Sequence, residues 1–185
     1  MTDPSIVIQL LLHGNRLKQT PRTGWAIRGV PAPESVADHS YGVAYTAMAL
    51  AQIIDEQIVL GKLLALALLH DLPEGISSDI PAPSWDYFLP GIKETVEDSI
   101  MDEILGEGSY TTLLKELWKE WVLGESAEAK LVDDADKLDR FLQALVYENQ
   151  TGNRTLGGFW KKPYKFHYPQ SQAIYEELKS RRPLL

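Results

Sequence analysis

One apolar segment near the middle of the chain constrains the fold most. Residues 61–70 read GKLLALALLH and carry a single charge, on Lys62. Leu and Ala are strong helix formers, so this length and composition predict a buried helix rather than a strand. The helix is expected to end at His70 and Asp71, because a proline follows at position 73. An imidazole and a carboxylate at the end of a core helix cost stability unless something binds them.

Helical patterns also cover most of the remaining chain. The spacing of apolar residues predicts six further helices, over residues 4–18, 35–55, 92–106, 111–124, 126–149 and 169–180. For the first helix, the buried face is expected to hold Ile6, Ile8, Leu10, Leu11, Leu12 and Leu17. Residues 19–33 and 72–90 are rich in Pro and Gly and are expected to be mostly loop. The pattern predicts an all-α protein, with about six to eight helices in a single bundle-like domain over residues 1–185.

Composition excludes several classes of function. The formal net charge of −8 argues against a nucleic-acid polymer as the main partner, since neutralising phosphates needs a basic face. The chain has no cysteine, which excludes thiolate chemistry and Cys-based zinc sites. No apolar run approaches the roughly 18 residues of a membrane span. We therefore expect a soluble cytoplasmic protein without a membrane partner.

Groups that can bind a metal recur in order along the helices. His39 lies near the start of the second helix, His70 and Asp71 end the third, and several aspartates lie on the long sixth helix. Imidazoles and carboxylates together suit a hard-to-borderline divalent ion such as Mn²⁺, Co²⁺, Fe²⁺, Zn²⁺ or Mg²⁺. Such an ion lowers the pKa of bound water, which hydrolysis requires. The order predicts a site for one divalent metal.

The pattern alone does not decide which aspartate of the sixth helix completes this set. An apolar stripe runs along the helix at Leu131, Ala135, Leu138, Leu142 and Leu145. At about 100° per residue, Asp134 lies nearer this stripe and Asp136 lies almost opposite. A helix packed on two sides would bury both positions. Asp134 and Asp136 therefore both remain candidates on this argument.

Three longer strings resemble a known family. They are PRTGWAIRGVPAPESVADHS, LALLHDLPEGISSDIPAP and SAEAKLVDDADKLDRFLQALVYE. They are similar to the HD-domain metal-dependent phosphohydrolases, and within these to the branch of the 5′-deoxynucleotidases. The similarity extends over about residues 11–178. It implies a compact helical domain, one divalent metal ion and usually a homodimer.

The resemblance also implies roles for individual residues. The metal ligands would be His39, His70, Asp71 and Asp136, with Asp134 as the alternative last ligand. Glu74 would orient or deprotonate the attacking water, and Asp79 would lie near the leaving group and the sugar. Arg22 would bind the phosphate, and Trp25 would pack near the sugar, where shape excludes a 2′-hydroxyl. The bacterial enzymes carry this Arg and Trp adjacent to each other, whereas Thr23 and Gly24 separate them here.

The leading hypothesis is a metal-dependent phosphomonoesterase that acts on nucleoside 5′-monophosphates, preferably 2′-deoxy ones. A second hypothesis keeps the metal but makes the chain a phosphodiesterase or a nucleoside-triphosphate hydrolase of the wider HD superfamily. A third is a non-catalytic helical dimer that binds a metal or a nucleotide. The products formed from mono-, di- and triphosphates discriminate between the first two.

Overall fold

A computed structural model describes residues 3–161 and 164–183 of the chain. Ten α-helices are present in these residues: α1 (Pro4–Arg16), α2 (Thr23–Ala26), α3 (Val36–Leu50), α4 (Leu60–Leu69), α5 (Glu74–Ser77), α6 (Ala82–Trp85), α7 (Ile92–Leu105), α8 (Thr112–Leu123), α9 (Ala127–Thr151) and α10 (Pro169–Ser180). Three 3₁₀-helices cover Leu17–Gln19, Ser109–Thr111 and Arg154–Trp160. The described part of the chain contains no strand, which confirms the all-α class, and seven of its α-helices have ten or more residues.

The 25-residue helix α9 forms the centre of the fold. It packs most extensively against α3, and it also contacts α4 and α10. Its buried residues include Leu131 and Leu138 of the predicted stripe, but also Val132 and Phe141 on other faces. Because α9 is covered on more than one side, a single apolar stripe does not identify all of its buried positions.

Helix α3 begins where the sequence predicts. The Ser35 side chain accepts the backbone N–H of Asp38, and the Asp38 carboxylate accepts the backbone N–H of Ser35, which is a complete capping box. The expected extension to residue 55 is wrong, since α3 ends at Leu50 and residues 51–56 form turns. These turns place Ile54 in the core, with only 8% of its surface exposed.

Helix α4 is the apolar segment, and it lies where the sequence predicts. Leu63, Leu66 and Ala67 are fully buried. His70 is the C-cap residue, with helical backbone angles and an N–H that still donates to Leu66 O. The predicted end of the helix is thus confirmed, and the turn after it presents His70 and Asp71 together.

Helix α1 differs from the prediction in what it buries. It ends at Arg16, and none of its residues is buried. Leu11 and Leu12 expose 66% and 50% of their surface. Of the six residues expected on its buried face, only Leu17 is buried, in the 3₁₀-turn that follows the helix. Leu10 is partly buried against the core, but the described residues leave the rest of this apolar face exposed.

The two segments expected to be loops each contain short helices. Helix α2 lies within residues 19–33, and α5 and α6 lie within residues 72–90. Each has only four residues, so the prediction of mostly irregular backbone is confirmed. No helix among the described residues is long and apolar enough to cross a membrane.

Candidate metal centre and active site

The imidazoles of His39 and His70 are both buried and held in a single orientation. The Nδ1 atom of His39 lies 2.8 Å from Asp139 Oδ2, and the Nδ1 atom of His70 lies 2.7 Å from the carbonyl oxygen of Ala67. The Nε2 atoms of both rings are buried and make no hydrogen bond. A histidine whose outer nitrogen is fixed by a carboxylate or carbonyl, with the other nitrogen free, has the arrangement of a metal ligand.

Two carboxylates face these free nitrogens. Asp136 Oδ1 lies 3.1 Å from Nε2 of His39. Asp71 Oδ2 lies 3.2 Å from Nε2 of His70 and 3.6 Å from Nε2 of His39. The possible ligand atoms of His39, His70 and Asp136 all lie within 4.8 Å of one another. Residues from α3, α9 and the turn after α4 therefore converge on one point.

The charges within this cluster keep its carboxylates ionised, and ionised carboxylates attract a cation. Burial and Arg22 lower the pKa of His39, but the carboxylates of Asp136 and Asp139 outweigh them and raise this pKa to about 9. Burial alone would raise the pKa of Asp71, yet the charge of His70 and its contact hold it below the ordinary value. Burial likewise opposes the ionisation of Asp136, and the contact with His39 lowers its pKa well below the ordinary value. The carboxylates are thus ionised at neutral pH.

The donor set fits a divalent metal ion. Two buried Nε2 atoms without hydrogen bonds, together with two ionised carboxylates, supply the mixed nitrogen and oxygen ligands that such ions accept. The second-sphere partners of both imidazoles are already in place. Two other groups of His and acidic residues lie close together among the described residues, one around Glu34 and Asp139 and one around Asp133 and His167. The first of these shares His39 through its Nδ1 side, and the second is partly exposed.

Asp134, the alternative last ligand, has a different environment. It is fully buried, as the helical wheel predicts. Its two carboxylate oxygens accept the backbone N–H groups of His167 and Tyr168, at 2.8 Å and 3.0 Å. This carboxylate therefore anchors the segment before α10. The structure brings Asp136, and not Asp134, to the two free Nε2 atoms.

Arg22 and Glu74 lie beside the cluster. Arg22 Nη1 donates to Asp71 Oδ2 at 3.2 Å. Burial alone would lower the pKa of Arg22, but Asp71 and Asp79 raise it above its ordinary value. Burial and the same two carboxylates raise the pKa of Glu74 to about 9, and its buried Oε2 atom has no hydrogen-bond partner. Nearby divalent charge would oppose this shift and favour the ionised form.

Asp79 and Trp25 lie in the wall of the same pocket. One carboxylate oxygen of Asp79 accepts the backbone N–H of Thr23 at 2.5 Å, so it fixes the start of α2 from across the pocket. Trp25 exposes only 2% of its surface, and its Nε1–H donates to Glu34 Oε1 at 2.8 Å. Ser78, which precedes Asp79, is the one non-glycine residue with positive φ in the described chain, at 63°. Such backbone strain is typical of functional sites.

The pocket has a volume of about 210 Å³ and includes residues that the sequence argument missed. These are Trp85, Lys93, Glu97, Arg140 and Phe159. Arg140 follows Asp136 by four residues, so helical periodicity could have placed it on the same face. Phe159 and Lys93 have no such signal, because the packing of distant segments brings them to the site. Arg28 also lines the pocket, with its guanidinium 4.1 Å from the ring centre of Phe159.

Comparisons with known proteins agree with this geometry. The 5′-deoxynucleotidase HDDC2 of Homo sapiens is 35% identical over 180 residues, covering 95% of this chain and 86% of that protein. The 5′-deoxynucleotidase hdd1 of Schizosaccharomyces pombe is 33% identical and covers 78% of this chain and 74% of its own. A solved structure of a conserved hypothetical protein from Pyrococcus furiosus has a TM-score of 0.80 at 36% identity, covering 94% of this chain and 99% of that one. The model of the HD domain matches residues 14–179, and the chain belongs to the HD domain family.

Proposed function

We propose that the chain is a metal-dependent phosphomonoesterase that hydrolyses nucleoside 5′-monophosphates, preferably 2′-deoxy ones, to nucleoside and phosphate. The observation that carries this proposal is the pair of buried Nε2 atoms, in His39 and His70, that face two carboxylates at the base of the pocket. The relatives named 5′-deoxynucleotidase cover most of the chain and supply the substrate class.

One divalent ion would be held by His39, His70, Asp71 and Asp136. Mixed imidazole and carboxylate ligands are compatible with Co²⁺, Mn²⁺, Mg²⁺, Fe²⁺ or Zn²⁺, and the metal screen below identifies which of them support turnover. When bound, the ion supplies Lewis acidity for a phosphoryl oxygen and lowers the pKa of water.

Three side chains around the ion perform the remaining steps. Arg22 neutralises charge on the phosphoryl group, and its pairing with Asp71 fixes the direction of its guanidinium. Glu74 accepts the proton of the attacking water, since its buried, unpaired oxygen lies next to the ligand turn. Asp79 contacts the sugar or protonates the leaving oxygen, with one carboxylate oxygen already fixed by α2.

Trp25 supports the preference for deoxynucleotides. Its ring packs against Phe159 at 4.7 Å and Tyr147 at 5.4 Å, and the bond to Glu34 fixes its indole. A rigid aromatic wall beside the sugar would discriminate by shape, because it cannot move aside for an extra hydroxyl. The preference for 2′-deoxy substrates rests on this rigidity.

The test is a phosphate-release screen. Purified protein is incubated with 5′- and 3′-monophosphates of ribo- and deoxyribonucleosides, and with di- and triphosphates, in the presence of each of the five ions. Release is expected from deoxynucleoside 5′-monophosphates, and the Asp71→Asn variant should abolish it. Asp102→Asn, which changes an exposed acid on α7, is the matched control. Absence of release from every monophosphate with every ion would show the proposal to be wrong.

We also propose that the chain acts as a homodimer of single-domain subunits. The support is the uncovered apolar face of α1, where Ile8, Leu11 and Leu12 each expose half of their surface or more. Burying such a face against a second copy would remove apolar area from water. A cytoplasmic location stays a prediction from the sequence.

A further inference from the structure

The cationic side chains of the pocket differ in whether oxygen atoms of the protein accept their N–H groups. Four cationic residues line it: Arg22, Arg28, Lys93 and Arg140. The first three have acceptors, namely Asp71 Oδ2 at 3.2 Å, Gly24 O at 2.8 Å and Glu97 Oε1 at 3.5 Å. The side chain of Arg140 has neither a hydrogen bond nor an ion pair with any residue that the structure describes.

The guanidinium of Arg140 lies near Asp136, whose pKa its charge helps to lower, but it donates to no oxygen among the described residues. Its Nε atom is buried without a partner. The guanidinium carbon lies 5.2 Å from the ring centre of Tyr164 and 5.6 Å from that of Phe141. Aromatic faces attract the cation, but they do not accept the in-plane N–H groups as an oxygen does. A half-buried guanidinium in this state favours an anionic ligand in the pocket.

The position of Arg140 indicates which anion it would meet. It follows Asp136 by four residues on α9, so both side chains lie on the same face, one turn apart. Its forked donors match the oxygens of a phosphate group better than a point charge does. Building on the proposed phosphomonoesterase function, we propose that Arg140 binds a non-bridging oxygen of the substrate phosphate, together with Arg22.

The experiment compares Arg140→Met, Arg140→Gln and Arg140→Lys with the parent protein. Met and Gln are good helix formers that remove the charge, so either one serves if the other fails to fold. Arg181→Met is the matched control, because Arg181 follows α10, is exposed and pairs among the described residues only with Glu177 of that helix. Titration calorimetry measures the Kd of inorganic phosphate for the Co²⁺-loaded protein and, separately, the Kd of Co²⁺.

The Kd of phosphate and the Kd of Co²⁺ are expected to respond differently to the loss of Arg140. Loss of charge-assisted hydrogen bonds should raise the Kd of phosphate and the KM for a deoxynucleoside monophosphate by about 10- to 100-fold. Arg140→Lys should lie between these variants and the parent. The Kd of Co²⁺ should stay constant or fall, because the removed positive charge lies near the metal ligand Asp136. General damage to the site would instead raise the Kd of phosphate and the Kd of Co²⁺ together.

Two outcomes separate this inference from the proposed function. If the parent hydrolyses monophosphates while Arg140→Met and Arg140→Gln keep its phosphate Kd and KM within about twofold, Arg140 does not bind substrate and the function stands. If the parent hydrolyses no monophosphate but loses phosphate binding on either substitution, the anion site stands and the function is wrong. Thermal unfolding of each variant confirms that the compared proteins are folded.

Discussion

At the scale of single residues, Asp134 and Asp136 show that burial does not identify a ligand. Asp134 is fully buried, whereas the side chain of Asp136 is 29% exposed. Yet the buried Asp134 carboxylate already accepts two backbone N–H groups, whereas the more exposed Asp136 carboxylate faces Nε2 of His39. A metal ligand must keep an electron pair free, so the residue with fewer protein partners is the better candidate.

Replacing each of these aspartates by asparagine should separate the two roles. Asp136→Asn is expected to weaken Co²⁺ binding by more than the roughly 10- to 100-fold typical of outer-sphere partners. Asp134→Asn should keep the Co²⁺ affinity but lower the free energy of unfolding by about 1–3 kcal/mol, because an amide cannot accept both N–H groups. Calorimetry and urea unfolding measure the two quantities. The reverse pattern would make Asp134 the ligand.

His39 should make the stability of the metal-free protein depend on pH. Its pKa in the folded chain is about 9, above its ordinary value of 6.5. A raised folded-state pKa contributes stability that is complete below pH 6.5 and is lost as the pH rises towards 9. The loss is at most about 1.4 kcal/mol per pH unit.

Urea unfolding of EDTA-treated protein at pH 6.5 and pH 8.5 should reveal this loss. Co²⁺ must displace the same proton, so its apparent Kd should fall by up to about tenfold per pH unit over this range. His39→Gln should make the stability profile shallower, and the slope that remains belongs to Glu74, whose pKa burial and the carboxylates of Asp71 and Asp79 also raise to about 9. A parent protein that is equally stable at both pH values would contradict the assignment of the raised pKa.

At the scale of elements, the close packing of α3 on α9 depends on Gly42. Gly42 follows His39 by three residues, so both lie on the face of α3 that meets α9. A Cβ atom built on Gly42 would overlap the Asp139 carboxylate, which holds His39 Nδ1. Because position 42 has no side chain, the Asp139 carboxylate can reach Nδ1 of His39.

Gly42→Ala should impair the metal site more than the fold. The added methyl group meets the end of a side chain, which can turn away, but Asp139 then loses His39. We expect the Kd of Co²⁺ to rise by about 10- to 100-fold. Gly61→Ala in α4 is the matched control, since its added Cβ has no atom within 4 Å apart from the adjoining residues and backbone of the helix, and it should leave the Kd unchanged. Equal effects of the two substitutions would show that the Gly42 contact is unimportant.

At the scale of the whole molecule, the order of helices was predictable because it follows from local pattern. The apolar run before His70 and the Ser35 capping box each specify an element boundary without tertiary information. The exposed face of α1 was not predictable in the same way. Its apolar spacing is that of a packed helix, and sequence alone does not say whether a face is covered by the same chain.

The residues of the site also differ in whether the sequence pattern predicts them. His39, His70 and Asp71 could be found because ligand-type residues stand out at the ends of apolar helices. Asp136 could be chosen over Asp134 only from the resemblance to the HD-domain phosphohydrolases, since the helical wheel treats α9 as packed on one side. The remaining pocket residues, such as Lys93 and Phe159, come from segments far apart in the chain, and only the packed fold brings them together.

The uncovered face of α1 leads to a prediction about assembly. Leu11 exposes 66% of its surface on α1, and Leu113 exposes 65% on α8, so the two are matched in exposure and chemistry. Analytical ultracentrifugation of the parent should give twice the chain mass of 20.8 kDa. Leu11→Glu places a charge in the proposed interface and should give a monomer, whereas Leu113→Glu should remain a dimer. A parent protein that sediments at 20.8 kDa would rule out the dimer, and a Leu11→Glu dimer would exclude α1 as its interface.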